Sequence, residues 1–310
     1  MVREGPRQAR GIRLALWTLL ASLGIVTVGS PAPAGAAGAR DVSRAEAADH
    51  ECHLFGLAYQ HAGADTLLGE LSDALYAKSL PQRESPSRDG WGFGYYLRPP
   101  QSDIARPILR KGGAPASEDD ERWNAAVAEI ADFAFGGPAA LIGHVRKSSY
   151  GPDNGALVNP HPFVDSLAGR WWLFAHNGHM VPDTLLAWIP PEFLARHPLD
   201  YEPIHVDSEV LFRFCQYEIE RLGDVREGLL SAFHRVRGYY SDFVFNICLT
   251  DGDTLWAAHT HNWMPFLYAP AADSSAWWVA TAPPTEDGTP MEQHHLYWFA
   301  PDGMGSASYD

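Results

Sequence analysis

From residue 52 onward the apolar positions fall into short blocks with two rhythms. Cys52–Tyr59 is a brief apolar run that predicts a buried strand. Thr66–Leu80 sets Leu67, Leu68, Leu71, Leu75 and Leu80 at roughly helical spacing. Trp91–Leu97 alternates aromatic residues with glycine, the pattern of a strand whose backbone is closely approached. Over Asp119–Phe135, Trp123, Ala126, Val127, Ile130, Ala131 and Ala134 share one helical face, and acidic residues at Glu118–Glu121 suit a helix N-terminus. Ala139–Val145 reads as a buried strand. Trp171–Ala175 reads as another, ending in a turn signal at His176-Asn177-Gly178. Pro190 and Pro191 break a helix expected over Val181–Arg196. Asp207–Leu222 carries a stripe of Leu211, Phe214, Cys215, Ile219 and Leu222, with Asp207 or Ser208 as its cap, and Val225–Val236 follows as a second helix. Strands are predicted at Phe243–Thr250, Thr254–His259, Trp277–Thr281 and His295–Phe299, the first two joined by a turn at Asp251-Gly252. Strands and helices thus cluster in separate blocks. That order predicts a layered α+β domain, single over 52–310, and not a doubly wound parallel sheet.

The chain before residue 52 has a different texture. Residues 1–13 carry Arg3, Arg7, Arg10 and Arg13 against Glu4; Leu14–Val28 is an apolar run of 15 residues; Gly29–Ala39 is rich in small residues. This is the order of a secretory signal peptide over 1–39, and the run is short for a span of about 20 residues. Residues 40–51 are polar and Ala-rich without a core pattern, as a propeptide or linker would be. The expected location is therefore secreted or periplasmic, with no stable membrane insertion once the leader is removed.

Composition narrows the chemistry. With 46% hydrophobic residues and 20% charged, the chain can bury a large core, and its net charge of −15 disfavours nucleic acid as a partner. Fourteen histidines are present, but none has zinc-ligand spacing, so no metal and no cofactor is expected. Of three cysteines, Cys215 and Cys248 fit core positions, and a disulfide between them is open. Cys52 heads the first strand.

Each remaining motif is ambiguous alone. Asn177-Gly178 can be a turn, Arg146 a salt-bridge partner, Asp207 a helix cap. In order, however, Cys52-x-Leu-Phe-Gly, Asp89-Gly-Trp-Gly-Phe-Gly, His144-Val-Arg146, Asn159-x-His161-Pro-Phe163, His176-Asn177-Gly178, Asp207-Ser-Glu209 and the late Ala280-Thr-Ala-Pro283 form a set. The chain resembles the class II glutamine amidotransferases of the Ntn-hydrolase superfamily, and within them a stand-alone subgroup of γ-glutamyl hydrolases. The pattern departs from that family at Ser148-Ser149 and at His205-Val206.

The resemblance implies a four-layer αββα sandwich and a set of roles. Cys52 is the implied N-terminal nucleophile, with its own α-amine as base. Arg146 grips an α-carboxylate, Asp207 an α-ammonium, and Asn177 with Gly178 forms an oxyanion hole; His144, Trp91 and His176 line the substrate. A thiol of pKa about 8.5 beside an amine of about 8 exchanges a proton easily near neutrality. The implied reaction is hydrolysis of a small γ-glutamyl or glutamine-like amide through a thioester, which needs residues 1–51 removed. The alternatives are a cysteine acylase acting on another small or acyl-chain amide, and an inactive binding protein on the same fold.

Overall fold

A computed structural model describes residues 52–59, 64–83, 86–97, 105–133, 139–148, 161–201, 205–240, 245–260, 264–272, 274–300 and 303–310. The leader, the segment before Cys52 and Asn159 lie outside the described residues.

Alternation along the strands builds the architecture. In β1 (His53–Tyr59), β2 (Trp91–Leu97) and β4 (Ala139–Val145), odd-numbered residues from Phe55 to Val145 face one side and even-numbered residues the other. Phe55, Leu57, Trp91, Phe93, Tyr95, Leu141 and Val145 pack against α1 (Asp65–Tyr76) and α2 (Asp120–Phe133). Leu54, Ala58, Tyr96, Ala140 and Ile142 pack instead against Leu173, Ala175, Cys248, Leu255 and Ala257 of a second sheet. That sheet turns Trp172, Phe174, Phe245, Ile247 and Leu249 to the opposite side, against Val210, Leu211, Phe214 and Phe233 of two long helices, α5 (Asp207–Leu222) and α6 (Val225–Tyr239). Two shorter helices, α3 (Pro182–Leu186) and α4 (Pro191–Arg196), precede them, each starting at a proline. The result is helix, sheet, sheet, helix.

Both sheets are antiparallel among the described pairings. With β3 (Arg106–Gly112), β9 (Leu267–Pro270), β10 (Ala276–Ala280) and β11 (Thr289–Pro290), the first runs β11-β9-β10-β1-β4-β2-β3. With β5 (Phe163–Leu167), β6 (Arg170–Gly178), β7 (Phe245–Thr250), β8 (Leu255–His259), β12 (His295–Ala300) and β13 (Gly303–Ser308), the second runs β13-β12-β8-β7-β6-β5.

Five of these strands, β3, β5, β9, β11 and β13, are not predicted by the apolar pattern. Four of them are the sheet edges. An edge strand is wetted, so Arg106, Pro107, Arg110 and Lys111 in β3, or the Gly/Ser-rich run of β13, carry no apolar block. The turn expected at His176-Asn177-Gly178 is also corrected: β6 continues through Gly178 and stays paired with β7, Asn177 opposite Asn246. The turn at Asp251-Gly252 is present, Gly252 having a positive φ of 92°. Cys215 and Cys248 are free thiols; Cys215 lies on α5 in the core outside the second sheet and Cys248 on β7 in the core between the sheets, so no disulfide joins them. Among the described residues no helix is long and apolar enough to cross a membrane.

Candidate active site

Antiparallel register gathers the site at one end of the first sheet. His53 pairs with Val145, so the residues just outside the ladder, Cys52 and Arg146, fall side by side. Trp91 also pairs with Val145, which brings Asp89 and Gly90 alongside Arg146. The Arg146 N–H donates to Gly90 O at 2.9 Å, and the Asp89 N–H donates to Arg146 O at 2.9 Å. The Asp89 carboxylate accepts the Ser148 N–H at 2.5 Å. From the other end of the chain, Thr281 ties down the start of β1: its hydroxyl accepts the Leu54 N–H and its own N–H donates to Leu54 O, both at 3.0 Å.

Cys52 is half-buried. Its thiol accepts the Lys147 N–H and donates to Lys147 O, each at 3.2 Å. Burial pushes the thiol up to about 11; the Lys147 contact and the Arg146 charge work against that, and the Asp89 and Asp207 carboxylates add to it. The second sheet supplies Asn177, whose side-chain amide donates to the Cys52 carbonyl at 2.8 Å and lies 3.7 Å from Met264 Sδ. Gly178 follows with φ 146°, a conformation that glycine tolerates and other residues rarely do.

Arg146 is 8% exposed. Its guanidinium donates to Ser148 Oγ at 3.2 Å, and among the described residues no carboxylate lies within ion-pair distance. His144 precedes it by two residues on the same strand face, fully buried and stacked on His161 with ring centroids 4.2 Å apart. Burial, reinforced by the Arg146 charge, holds both imidazoles far below the usual histidine range, so both are neutral. Space for His161 comes from Gly92: a Cβ there would stand 2.1 Å from His161 O. This is the close backbone approach that the aromatic–glycine alternation predicts.

The three residues opening α5 each reach a different element. Asp207, 6% exposed, accepts the Met180 N–H at 3.0 Å and the Ser208 N–H at 2.8 Å, and its Oδ2 lies 3.5 Å from His179 Nδ1. Ser208 Oγ meets His176 Nδ1 at 2.9 Å. Glu209 accepts the main-chain N–H groups of Asp200 and Tyr201 at 2.6 and 3.3 Å. The helix cap is Val206, with no side-chain cap bond, so the capping role expected of Asp207 or Ser208 is not observed.

Of the residues singled out from sequence, Cys52, Asn177, Gly178, Arg146, Asp207 and His144 converge on this end of the molecule. Two do not reach it. Trp91 faces the helix layer, packed on Phe93 and Trp123 with its indole N–H donated to Asp119 at 3.1 Å; strand alternation points it away from the space between the sheets. His176 is the strand neighbour of Asn177 and so faces the opposite side, toward α5. Sequence reasoning missed the Lys147 main chain, although it adjoins Arg146, and Met264, for which no pattern exists. Among the described residues no group of three or more histidines, cysteines and carboxylates is arranged to hold a metal ion.

Comparison with known proteins follows this geometry. The family description "glutamine amidotransferases class-II" matches residues 52–271. An uncharacterized protein of Methanocaldococcus jannaschii is 27% identical over 66% of this chain and 50% of its own length. The YafJ protein of Escherichia coli, whose name assigns it provisionally to the glutamine amidotransferases, is 24% identical over 54% of this chain and 58% of its own. The chain thus spans about half the length of the curated relatives it matches. Among solved structures, a glutamine aminotransferase class-II domain protein of Silicibacter pomeroyi superposes with TM-score 0.54 at 20% identity, over 83% of this chain and 99% of that one. The glutamine phosphoribosylpyrophosphate amidotransferase of B. subtilis superposes with TM-score 0.55 at 18% identity, over 84% of this chain and 49% of that one. These two likenesses establish the shared fold.

Proposed function

The chain belongs to the class II glutamine amidotransferases and has their Ntn-hydrolase fold, and from that premise we propose that it is an exported amidohydrolase that cleaves a γ-glutamyl amide with Cys52 as its first residue. One observation carries the substrate assignment. A buried guanidinium without a carboxylate partner among the described residues stands beside the thiol, with a buried carboxylate, Asp207, also acting on that thiol. A buried cation and a buried anion whose charges both reach the thiol suit the α-carboxylate and α-ammonium of an amino-acid head group. An acyl chain offers neither.

Removal of residues 1–51 frees the Cys52 α-amine, which takes the thiol proton. The thiolate attacks the amide carbon. The carbonyl oxygen becomes an oxyanion, to which the Asn177 amide and the Gly178 N–H donate; one such donor is worth roughly 3 kcal/mol of barrier. The C–N bond breaks as the α-ammonium returns its proton to the leaving amine, giving a thioester. Water, deprotonated by the same amine, attacks the thioester carbon; the C–S bond breaks, the sulfur leaves and takes that proton back from the α-ammonium, and the free acid departs. The family match that begins at Cys52 supports the same start for the working protein.

The test is turnover of glutamine, γ-glutamyl dipeptides and fatty-acyl amides by the exported protein and by Cys52→Ala, with N-terminal sequencing. Hydrolysis of the first two, its loss in the variant and a Cys52 N-terminus are the expected results. A fully active protein that retains Glu51 overturns the amine as base, and preference for acyl chains overturns the head-group assignment.

A further inference from the structure

Asp207 is presented to the site by a buried hydrogen-bond chain from the far face of β6. We infer that His176 and Ser208 are positioning residues for the Asp207 carboxylate and thereby set selectivity for substrates that carry an α-ammonium group; this rests on the reading of Asp207 given above.

His176 is 2% exposed and Ser208 is buried. Nδ1 of the imidazole is 2.9 Å from Ser208 Oγ, and Nε2 has no hydrogen-bond partner among the described residues. The two tautomers differ in what they leave unpaired. With the proton on Nε2, a buried N–H is orphaned. With it on Nδ1, only a lone pair is orphaned, which is the milder loss. The Nδ1–H tautomer therefore donates to Ser208 Oγ. That leaves the serine hydroxyl proton directed at Asp207 Oδ1, 3.5 Å away, where the Ser208 N–H already donates at 2.8 Å. The other carboxylate oxygen is held by the Met180 N–H at 3.0 Å. Burial keeps His176 near pKa 4 despite the pull of Asp207, so the chain is uncharged at neutral pH and leaves the carboxylate's charge for a ligand. The contact also joins the end of β6 to the first turn of α5, fixing Asp207 relative to Asn177 one residue along the strand.

The experiment compares glutamine with 4-carbamoylbutanoate, which is glutamine without its α-amino group, on the purified protein, Ser208→Ala and His176→Phe. Wild type is expected to favour glutamine in kcat/KM. Each variant is expected to raise KM for glutamine about tenfold, near 1.4 kcal/mol, with kcat and the 4-carbamoylbutanoate parameters within about twofold of wild type. Equal losses on both amides, or an unchanged preference, overturn the inference while leaving Asp207 its role. Ser208→Ala removes one oxygen and keeps the test available if His176→Phe fails to fold. A wild type that cleaves both amides equally overturns the Asp207 reading itself, and the inference with it.

Discussion

Two buried charges set the candidate site of this molecule apart from its framework. Glu218 of α5 is 0% exposed and fully answered: Arg221 donates at 2.5 Å, Ser231 Oγ at 2.7 Å, and Arg235 closes the cluster while lying over Trp188 and Phe214. Those partners hold its carboxyl below the usual range in spite of burial. Arg146 is almost as buried, and among the described residues its guanidinium meets a serine hydroxyl and no carboxylate. A charge that holds a fold together is surrounded by opposite charge; Arg146 is not so surrounded among the described residues, which is the contrast the proposed substrate role of Arg146 rests on, and the fold bears the cost of burying it.

The comparison predicts opposite consequences of removal. The largest effect is expected from Arg146→Met, which on the proposed function removes the contact to the substrate carboxylate: kcat/KM for glutamine falls by about 10³, roughly 4 kcal/mol, while the thermal midpoint holds or rises. A clear drop in stability would place Arg146 in the framework instead. Glu218→Gln should do the reverse, lowering stability by about 3 kcal/mol in urea unfolding, since it leaves two arginines without their anion, with kcat/KM within about twofold of wild type.

Acid should also separate the two regions. Histidines protonate near pH 6.5 in the unfolded chain, whereas His176 resists until about 4 and His144 and His161 lie well below their ordinary value. Between those limits the unfolded chain binds more protons, so stability falls as pH falls, by about 1.4 kcal/mol per pH unit for each such histidine. Glu218 has a depressed pKa, so its contribution is present above the ordinary glutamate value and is lost only at lower pH. Hydrogen exchange from pH 7 down to 4 should therefore weaken β4 and β6 before the α5–α6 contact; the reverse order would contradict the assignment. The smallest effect is expected from Ser148→Ala: less than about 1 kcal/mol, read as a rise in KM below fivefold, because a neutral hydroxyl does little to hold a guanidinium.

The buried strands were legible where the pattern was purest. β2, β4 and α5 have the bounds that their apolar runs predict, because each is covered on the faces its sequence marks as apolar. Cys52, Arg146, Asn177, Gly178 and Asp207, singled out in the sequence, lie together at one end of the sheets, Cys52 and Arg146 just outside the ladder of β1 and β4. His176 and Trp91 were misplaced for one reason. Ending β6 at Ala175 put His176 and Asn177 in one turn, free to point the same way, whereas a strand that continues to Gly178 sends consecutive side chains to opposite faces. Trp91 likewise belongs to the helix-facing row of β2.

Sequence by itself determined the layers, through runs that must be buried on one or both sides, and it determined which residue types could do acyl chemistry. Only the tertiary structure decided which of them meet. Antiparallel register set Cys52 against Arg146 from 94 positions away in the chain, strand parity sorted Asn177 from His176, and the second sheet carried Asn177 to the Cys52 carbonyl. The physical reason is that periodicity fixes which face a side chain takes, while its partners depend on register between distant strands, which no local pattern encodes.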